Sequence, residues 1–172
     1  MTQTEFPVLD LAPFFAGEEN ADVKLGAQLR EACETIGFFF LKNHQIPVAT
    51  IDAMFQNTRD FHDLPLDDKK AITIDKNQRG YIKPGATLVS HSTYNKNTKY
   101  DSNETLVFAT DYTEDDPNVV AKKRFYGQNQ WPDQMPDLKQ TVQNFMNEIE
   151  QLGKSILPLW ALALNLEKDY FK

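Results

Sequence analysis

The sequence predicts an α/β chain of the α+β kind, with helices packed on a few short strands. Three observations carry this. Apolar residues recur at steps of three and four along residues 19–37, 47–65 and 136–164, which is the helical period. Short apolar runs, "FPVLDL" at 6–11 and "FFFLK" at 38–42, lie between turn-forming residues. The 172 residues are 41% hydrophobic and 12% aromatic, enough to build a core, so disorder is not the expected state.

The elements follow in order. "FPVLDL" reads as a strand ended by Pro13. The segment 19–37 reads as a helix capped by Asn20, with Leu25, Leu29, Ala32, Cys33 and Ile36 as its inner stripe and Gly37 as its stop. In that stripe Cys33 is expected to be a small buried thiol. "FFFLK" is a continuous apolar run, the pattern of a strand buried on both faces. Residues 47–65 form a second helix, with Pro47 in its first turn and Ile51, Met54, Phe55, Thr58 and Phe61 facing inward. "LPLDDKKAI" reads as a short helix whose first-turn Asp67 and Asp68 complement the helix dipole.

From about residue 74 to 130 the pattern weakens. "RGYIKPG" and "ETLVFA" are strand candidates, "SHSTYNKNTKYDSN" a polar loop and "DYTEDDPNVV" an acidic one. From Pro136 on, Leu138, Val142, Phe145, Ile149, Leu152, Ile156, Trp160 and Ala163 repeat helically. At about 1.5 Å per residue this helix spans on the order of 40 Å, with bends expected at Gly153 and Pro158. No internal repeat or linker divides the chain, so residues 1–172 read as a single domain.

Charge and composition exclude several functions. The net charge is −7 and the basic residues are scattered, with Lys69-Lys70 and Lys122-Lys123 only pairs, so no nucleic-acid partner is expected. Cys33 is the single cysteine; no internal disulfide can form, and a reducing compartment fits. The start, "MTQTEFPVLD", has no basic and apolar leader pattern. The longest apolar stretch, "ILPLWALAL", is far below the roughly 20 residues that span a bilayer. No membrane partner is expected, and the protein is expected to be cytoplasmic.

The histidines are His44, His62 and His91. A non-haem iron site needs two imidazoles and a carboxylate on one face, commonly from a His-x-Asp or His-x-Glu step. The residues two past each histidine are Ile46, Leu64 and Thr93, none acidic. His-Glu-x-x-His, Cys-x-x-Cys, Gly-x-Ser-x-Gly and paired-glycine phosphate loops are absent. His44 reads as the close of a strand, His62 as a residue near a helix end, and His91 as exposed in the polar loop. Asp67-Asp68 and Asp115-Asp116 read as solvated surface. The residues show no complete active site: no catalytic residue and no metal ligand is assigned.

"PVLDLAPF", "LREACETIGFFFLKNHQIP", "FHDLPLDDKKAI", "RGYIKPG", "NETLVFA", "GQNQWPD" and "LGKSILPLWALALNLEKDYF" follow one another from Phe6 to Phe171. In order and spacing they resemble the N-terminal region of the isopenicillin N synthase-like, 2-oxoglutarate/Fe(II)-dependent dioxygenases. The resemblance implies helices and strands flanking a double-stranded β-helix, or jelly roll, that lies C-terminal and carries a His-x-Asp…His iron triad and an Arg-x-Ser pair. Arg30, Arg59, Arg79 and Arg124 are followed two positions on by Ala32, Phe61, Tyr81 and Tyr126, so neither signature occurs here. The chain also stops after "DYFK", where that half would begin.

The chain is therefore expected to be the N-terminal part of such an oxygenase, inactive alone and binding no cofactor by itself. Fe(II) and 2-oxoglutarate are implied for the complete enzyme, with a small-molecule substrate. The expected partner is the C-terminal catalytic jelly roll, on the same gene or a separate chain. In the family the Gly-Tyr strand runs beside the substrate, which makes Arg79 and Tyr81 the candidate substrate-binding residues; Arg79 could clamp a carboxylate bidentately. The competing reading has Tyr81 packing and Arg79 in a surface ion pair. Asn43 and His44 match a structural turn in which Gln45 replaces the usual glycine. Trp131, in the matched Asn-x-Trp-Pro loop, is expected to anchor that loop against the long helix. Two alternatives stand beside this one: a stand-alone, non-catalytic binding module, and one half of a split oxygenase.

Overall fold

The computed structural model describes residues 6–87 and 98–171. In chain order the elements are β1 (Val8–Asp10), α1 (Ala12–Phe15), α2 (Ala21–Thr35), β2 (Phe40–Lys42), α3 (Val48–His62), α4 (Leu66–Ala71), β3 (Gly80–Ile82), β4 (Thr105–Val107), α5 (Pro117–Val120), α6 (Leu138–Ser155) and α7 (Leu157–Ala163). They fall into two compact units, residues 1–53 with 142–172, and residues 54–141. Among the described residues no helix is long and apolar enough to cross a membrane.

The first unit is built on a parallel pair. Val8, Leu9 and Asp10 lie opposite Phe40, Leu41 and Lys42. Parallel strands need a crossover, which α1 and α2 supply. Strand alternation sends Leu9 inward, where with Leu11 it meets Leu25, Leu29 and Ala32 of α2 and Leu159 and Ala163 of α7. The two helices approach closely at Gly26, where a Cβ would stand 2.9 Å from that of Leu162. Arg30 donates its Nε–H to the Ala163 carbonyl, closing the end of α7.

Beyond β2 the chain turns through Asn43 (φ 55°) and Gln45 (φ 65°), both left-handed. His44 Nδ1 accepts the Ile46 N–H at 3.1 Å, so this imidazole does close the strand. Asp10 fastens the same corner by accepting from the Asn43 amide at 2.7 Å, the Ala12 N–H at 3.0 Å and Lys42 at 3.1 Å. The Asn43 bond, ahead of the others, holds the Asp10 carboxyl at about 2, below the usual range.

In the second unit β3 and β4 pair antiparallel, with Gly80, Tyr81 and Ile82 opposite Val107, Leu106 and Thr105. On its other side Tyr81 forms a parallel bridge with Thr73. Gly80 has φ 116°, and a Cβ there would lie 2.3 Å from the Ile72 carbonyl, so only glycine fits. Phe61, Ile72 and Tyr81 make the core, flanked by Leu64, Leu106 and Met135.

Several expectations are corrected. Phe38 and Phe40 are 72% and 60% exposed, so "FFFLK" is not buried on both faces. The β1–β2 sheet has two strands among the described residues, and outward-facing Phe40 meets the Phe6 ring edge to face, 5.9 Å between centroids. Cys33 is exposed, because Leu25, Leu29 and Ala32 centre the buried stripe and Cys33 lies about 100° around the helix from Ala32. Asn20 precedes α2 but is left-handed at φ 59° and makes no side-chain cap. In α3, Phe61 is buried whereas Phe55 and Thr58 face outward. The long C-terminal helix is two helices. Gly153 continues α6, the break falls at Ile156, and Pro158 occupies the first turn of α7, where no N–H is needed. The acidic loop holds α5, capped where Asp116 accepts the Asn118 N–H at 2.7 Å. Most of the expected polar loop, with His91, lies outside the described residues.

Two outcomes follow in urea denaturation. Gly26→Val is expected to lower stability by about 1–3 kcal/mol, because the added methyls overpack the α2–α7 contact. Gln45→Gly is expected to raise it by about 0.5–1 kcal/mol by relieving a left-handed residue that carries a Cβ.

Candidate functional site

The richest polar cluster of the second unit converges on Glu104, the residue before β4. Glu104 and Leu106 are two apart on an extended segment, so both point to the face where Leu106 packs against Phe61 and Tyr81. The carboxylate accepts the Tyr81 hydroxyl at 2.5 Å and the Lys69 ammonium at 2.8 Å on Oε1, and contacts His62 Nδ1 at 3.2 Å through Oε2. The Lys69 side chain is only 9% exposed, and it donates a second bond to the His62 carbonyl, at 2.7 Å, at the end of α3. Helix α4 places it there because Lys69 and Ile72, three apart, share the buried face.

This geometry fixes the protonation states. Hydrogen bonds from Lys69, then Tyr81 and His62, hold the Glu104 carboxyl down at about 2 against the opposing effect of burial. Burial first, and the neighbouring carboxylate second, push the Tyr81 phenol up to about 12. The cluster is thus an ionised carboxylate held by an ammonium and a neutral phenol. It joins α3, α4, β3 and β4.

The two candidate substrate residues lie on or beside β3 but in different surroundings. Tyr81 is 1% exposed, its ring edge 6.0 Å from Phe61. With Thr73, Ile74 and Ile82 it walls an open cleft of about 250 Å³. Arg79 is 4% exposed, so it makes no surface ion pair. Its amino groups donate to the Asn77 carbonyl at 2.9 Å and the Phe125 carbonyl at 2.8 Å. Both placements follow from a backbone fastened at Asp75, which accepts the N–H groups of Asn77 and Arg79 at 2.8 and 3.0 Å.

The "GQNQWPD" motif supplies the remaining fastenings. Asn129 pairs with the Ala109 backbone like a strand, accepting at 3.0 Å and donating at 2.7 Å. Gln130 donates to the carbonyls of Thr73 at 3.0 Å and Arg79 at 2.7 Å. Trp131 stacks on Phe108 at 4.7 Å and 18°. Sequence reasoning missed Glu104 and Lys69, although a lysine sharing a helix face with Ile72 and a glutamate in step with Leu106 were the available signals.

The donor set does not suit ferrous ion. Among the described residues no group of three or more His, Cys, Asp or Glu is placed to hold a metal. His62 and Glu104 do meet, but the Lys69 ammonium occupies the carboxylate where a cation would bind.

Removing the carboxylate charge separates the roles. Glu104→Gln is expected to lower stability near neutral pH by about 2 kcal/mol, since bonds to a charged acceptor are lost around a buried lysine. Because the folded carboxyl is held low, its contribution is present above the ordinary glutamate range and is lost as pH falls toward about 2. The gap between wild type and variant should close over that interval, as read from urea denaturation at a series of pH values.

Comparison with known proteins gives the lineage. The family model described as non-haem dioxygenase in morphine synthesis N-terminal matches residues 6–134. A 2-oxoglutarate-Fe(II) type oxidoreductase of Emericella nidulans is 31% identical over 174 residues, covering 99% of this chain and 49% of the relative. Kihadalactone A synthase of Citrus sinensis is 34% identical over 155 residues, covering 88% of this chain and 45% of the relative. A 2OG-Fe(II) oxygenase family protein from Caulobacter crescentus superposes with a TM-score of 0.75 at 23% identity, over 98% of this chain and 52% of that one. A full-length Neurospora crassa protein in complex with alpha-KG superposes with a TM-score of 0.73 at 24% identity, over 96% and 49%. The chain spans about half the length of the curated relatives it matches. With the model matched over well more than half of its residues, this chain belongs to the non-haem dioxygenase N-terminal family, the N-terminal region of 2-oxoglutarate/Fe(II)-dependent dioxygenases.

Proposed function

We propose that the chain is the substrate-side and scaffolding part of an Fe(II)/2-oxoglutarate-dependent oxygenase acting on a small molecule, and that it is inactive alone. The observation that carries this reading is the family match over residues 6–134 in a chain that spans only 49% of its Emericella relative. In the complete enzyme, 2-oxoglutarate would be oxidised to succinate and carbon dioxide while substrate is oxidised by the second oxygen atom of O2. The groups for that chemistry belong to the C-terminal jelly roll.

Two surfaces support the division of labour. Phe6, Val8, Phe38 and Phe40 leave an apolar face open on the β1–β2 sheet, the kind of surface a further part of the protein covers. We assign the jelly roll to it, whether carried on the same polypeptide or on a separate one. The β3 strand is the proposed substrate side. Tyr81 would offer its ring as a wall. Arg79 would act by positioning, because both of its amino groups already hold backbone carbonyls. A reducing, cytoplasmic setting is consistent with a single cysteine.

The test is an anaerobic calorimetric titration of ferrous ion into the purified chain with 2-oxoglutarate in excess, followed by admission of O2. The expected outcome is no saturable one-to-one uptake and no succinate. A stoichiometric iron site on this chain would overturn the claim of inactivity.

A further inference from the structure

We propose that the depression lined by Lys76, Asn77, Val119, Lys122, Arg124 and Tyr126 is an anion site, fitted to the phosphate group of a small molecule. The argument begins behind it, at Arg79. That guanidinium is buried at 4% exposure, and among the described residues no carboxylate pairs with it. Its contacts are two neutral carbonyls, and its Nε has no partner. A buried charge normally has a counter-charge, and the Asp75 carboxylate beside Arg79 meets its backbone N–H and not its guanidinium.

The two carbonyls belong to the walls of the depression. Asn77 lines one side, and Phe125 sits between Arg124 and Tyr126 on the other. Arg79 therefore fixes the spacing of the walls from within. Three further cations face the space, and no carboxylate lines it, in a chain of net charge −7. Lys76, Lys122 and Arg124 form no ion pair among the described residues. The neighbouring Lys123 is engaged by the Asn118 side chain at 2.9 Å. Of the nearby carboxylates, Asp116 accepts a backbone N–H, and Asp75 accepts two backbone N–H groups on Oδ1 and the Asn77 amide on Oδ2.

Arg124 is held ready for an anion. Its guanidinium carbon lies over the Phe125 ring, 4.6 Å from the centroid, and a guanidinium carries a fork of N–H donors that matches two phosphate oxygens. Gln78, Lys122 and Phe125 are left-handed at φ 62°, 51° and 72°, so uncommon conformations bracket the lining residues. The Tyr126 hydroxyl adds a neutral donor, while the Asn77 amide already faces Asp75 Oδ2 at 3.5 Å. A volume of about 320 Å³ admits a phosphate with a small appended group.

The experiment uses the full chain at low salt, with inorganic phosphate, adenosine monophosphate and uncharged adenosine as probes, followed by amide NMR. Saturable shifts confined to residues 76–77 and 119–126, with a dissociation constant of about 1 mM or tighter, are expected for the phosphates and not for adenosine. Tighter binding of the monophosphate would mark an organic phosphate as the ligand; equal binding would mark the inorganic ion. Lys122→Gln combined with Arg124→Gln should weaken binding about tenfold or more, whereas Lys24→Gln, on exposed α2 surface, should leave it unchanged. Shifts that do not saturate, shifts centred elsewhere, or an equal loss in Lys24→Gln would overturn the proposal.

Discussion

The second unit depends on one carboxylate. Glu104 collects a phenol from β3, an ammonium from α4 and an imidazole from the end of α3, so four elements of small individual stability are held at a common point. Three-residue strands and a six-residue helix bury little apolar area each. A charged acceptor with several donors supplies direction that such short elements lack. Lys69, nearly buried, would be costly without it. The arrangement favours a specific register over raw stability, because a shift of β4 by one residue would turn Glu104 away from all three donors.

Around this point the chain is irregular, and buried backbone groups still require partners. The amides of Asn129 and Gln130 take that role for Ala109, Thr73 and Arg79, and the guanidinium of Arg79 does so for Asn77 and Phe125. Side chains that could have served chemistry are thereby committed to architecture. His44 belongs to a turn, His62 to the Glu104 cluster.

Local periodicity makes α2, α3 and the course of α6 legible in the sequence, and the seven ordered motifs make the lineage legible. Helices α1 and α5, four residues each, are too short to show a period. Exposure is misread where a pattern allows two answers: an apolar run such as "FFFLK" does not say how many sheet neighbours it has. Arg79 shows the other limit. Its burial comes from a carbonyl 46 residues away, at Phe125, and no local signal announces a contact of that separation. Glu104 is half legible, through its step with Leu106, but its partners come from three other segments.

The first unit is assembled from the two ends of the described chain, with α2 covered by a helix that begins at residue 157. A ribosome therefore releases Leu25, Leu29 and Ala32 long before Leu159 and Ala163 complete their cover, while residues 54–141 are made in between. At ordinary elongation rates that interval lasts on the order of ten seconds. During it that face of the nascent polypeptide has Leu9, Leu11 and their early neighbours for cover, and the share that Leu159 and Ala163 contribute arrives last.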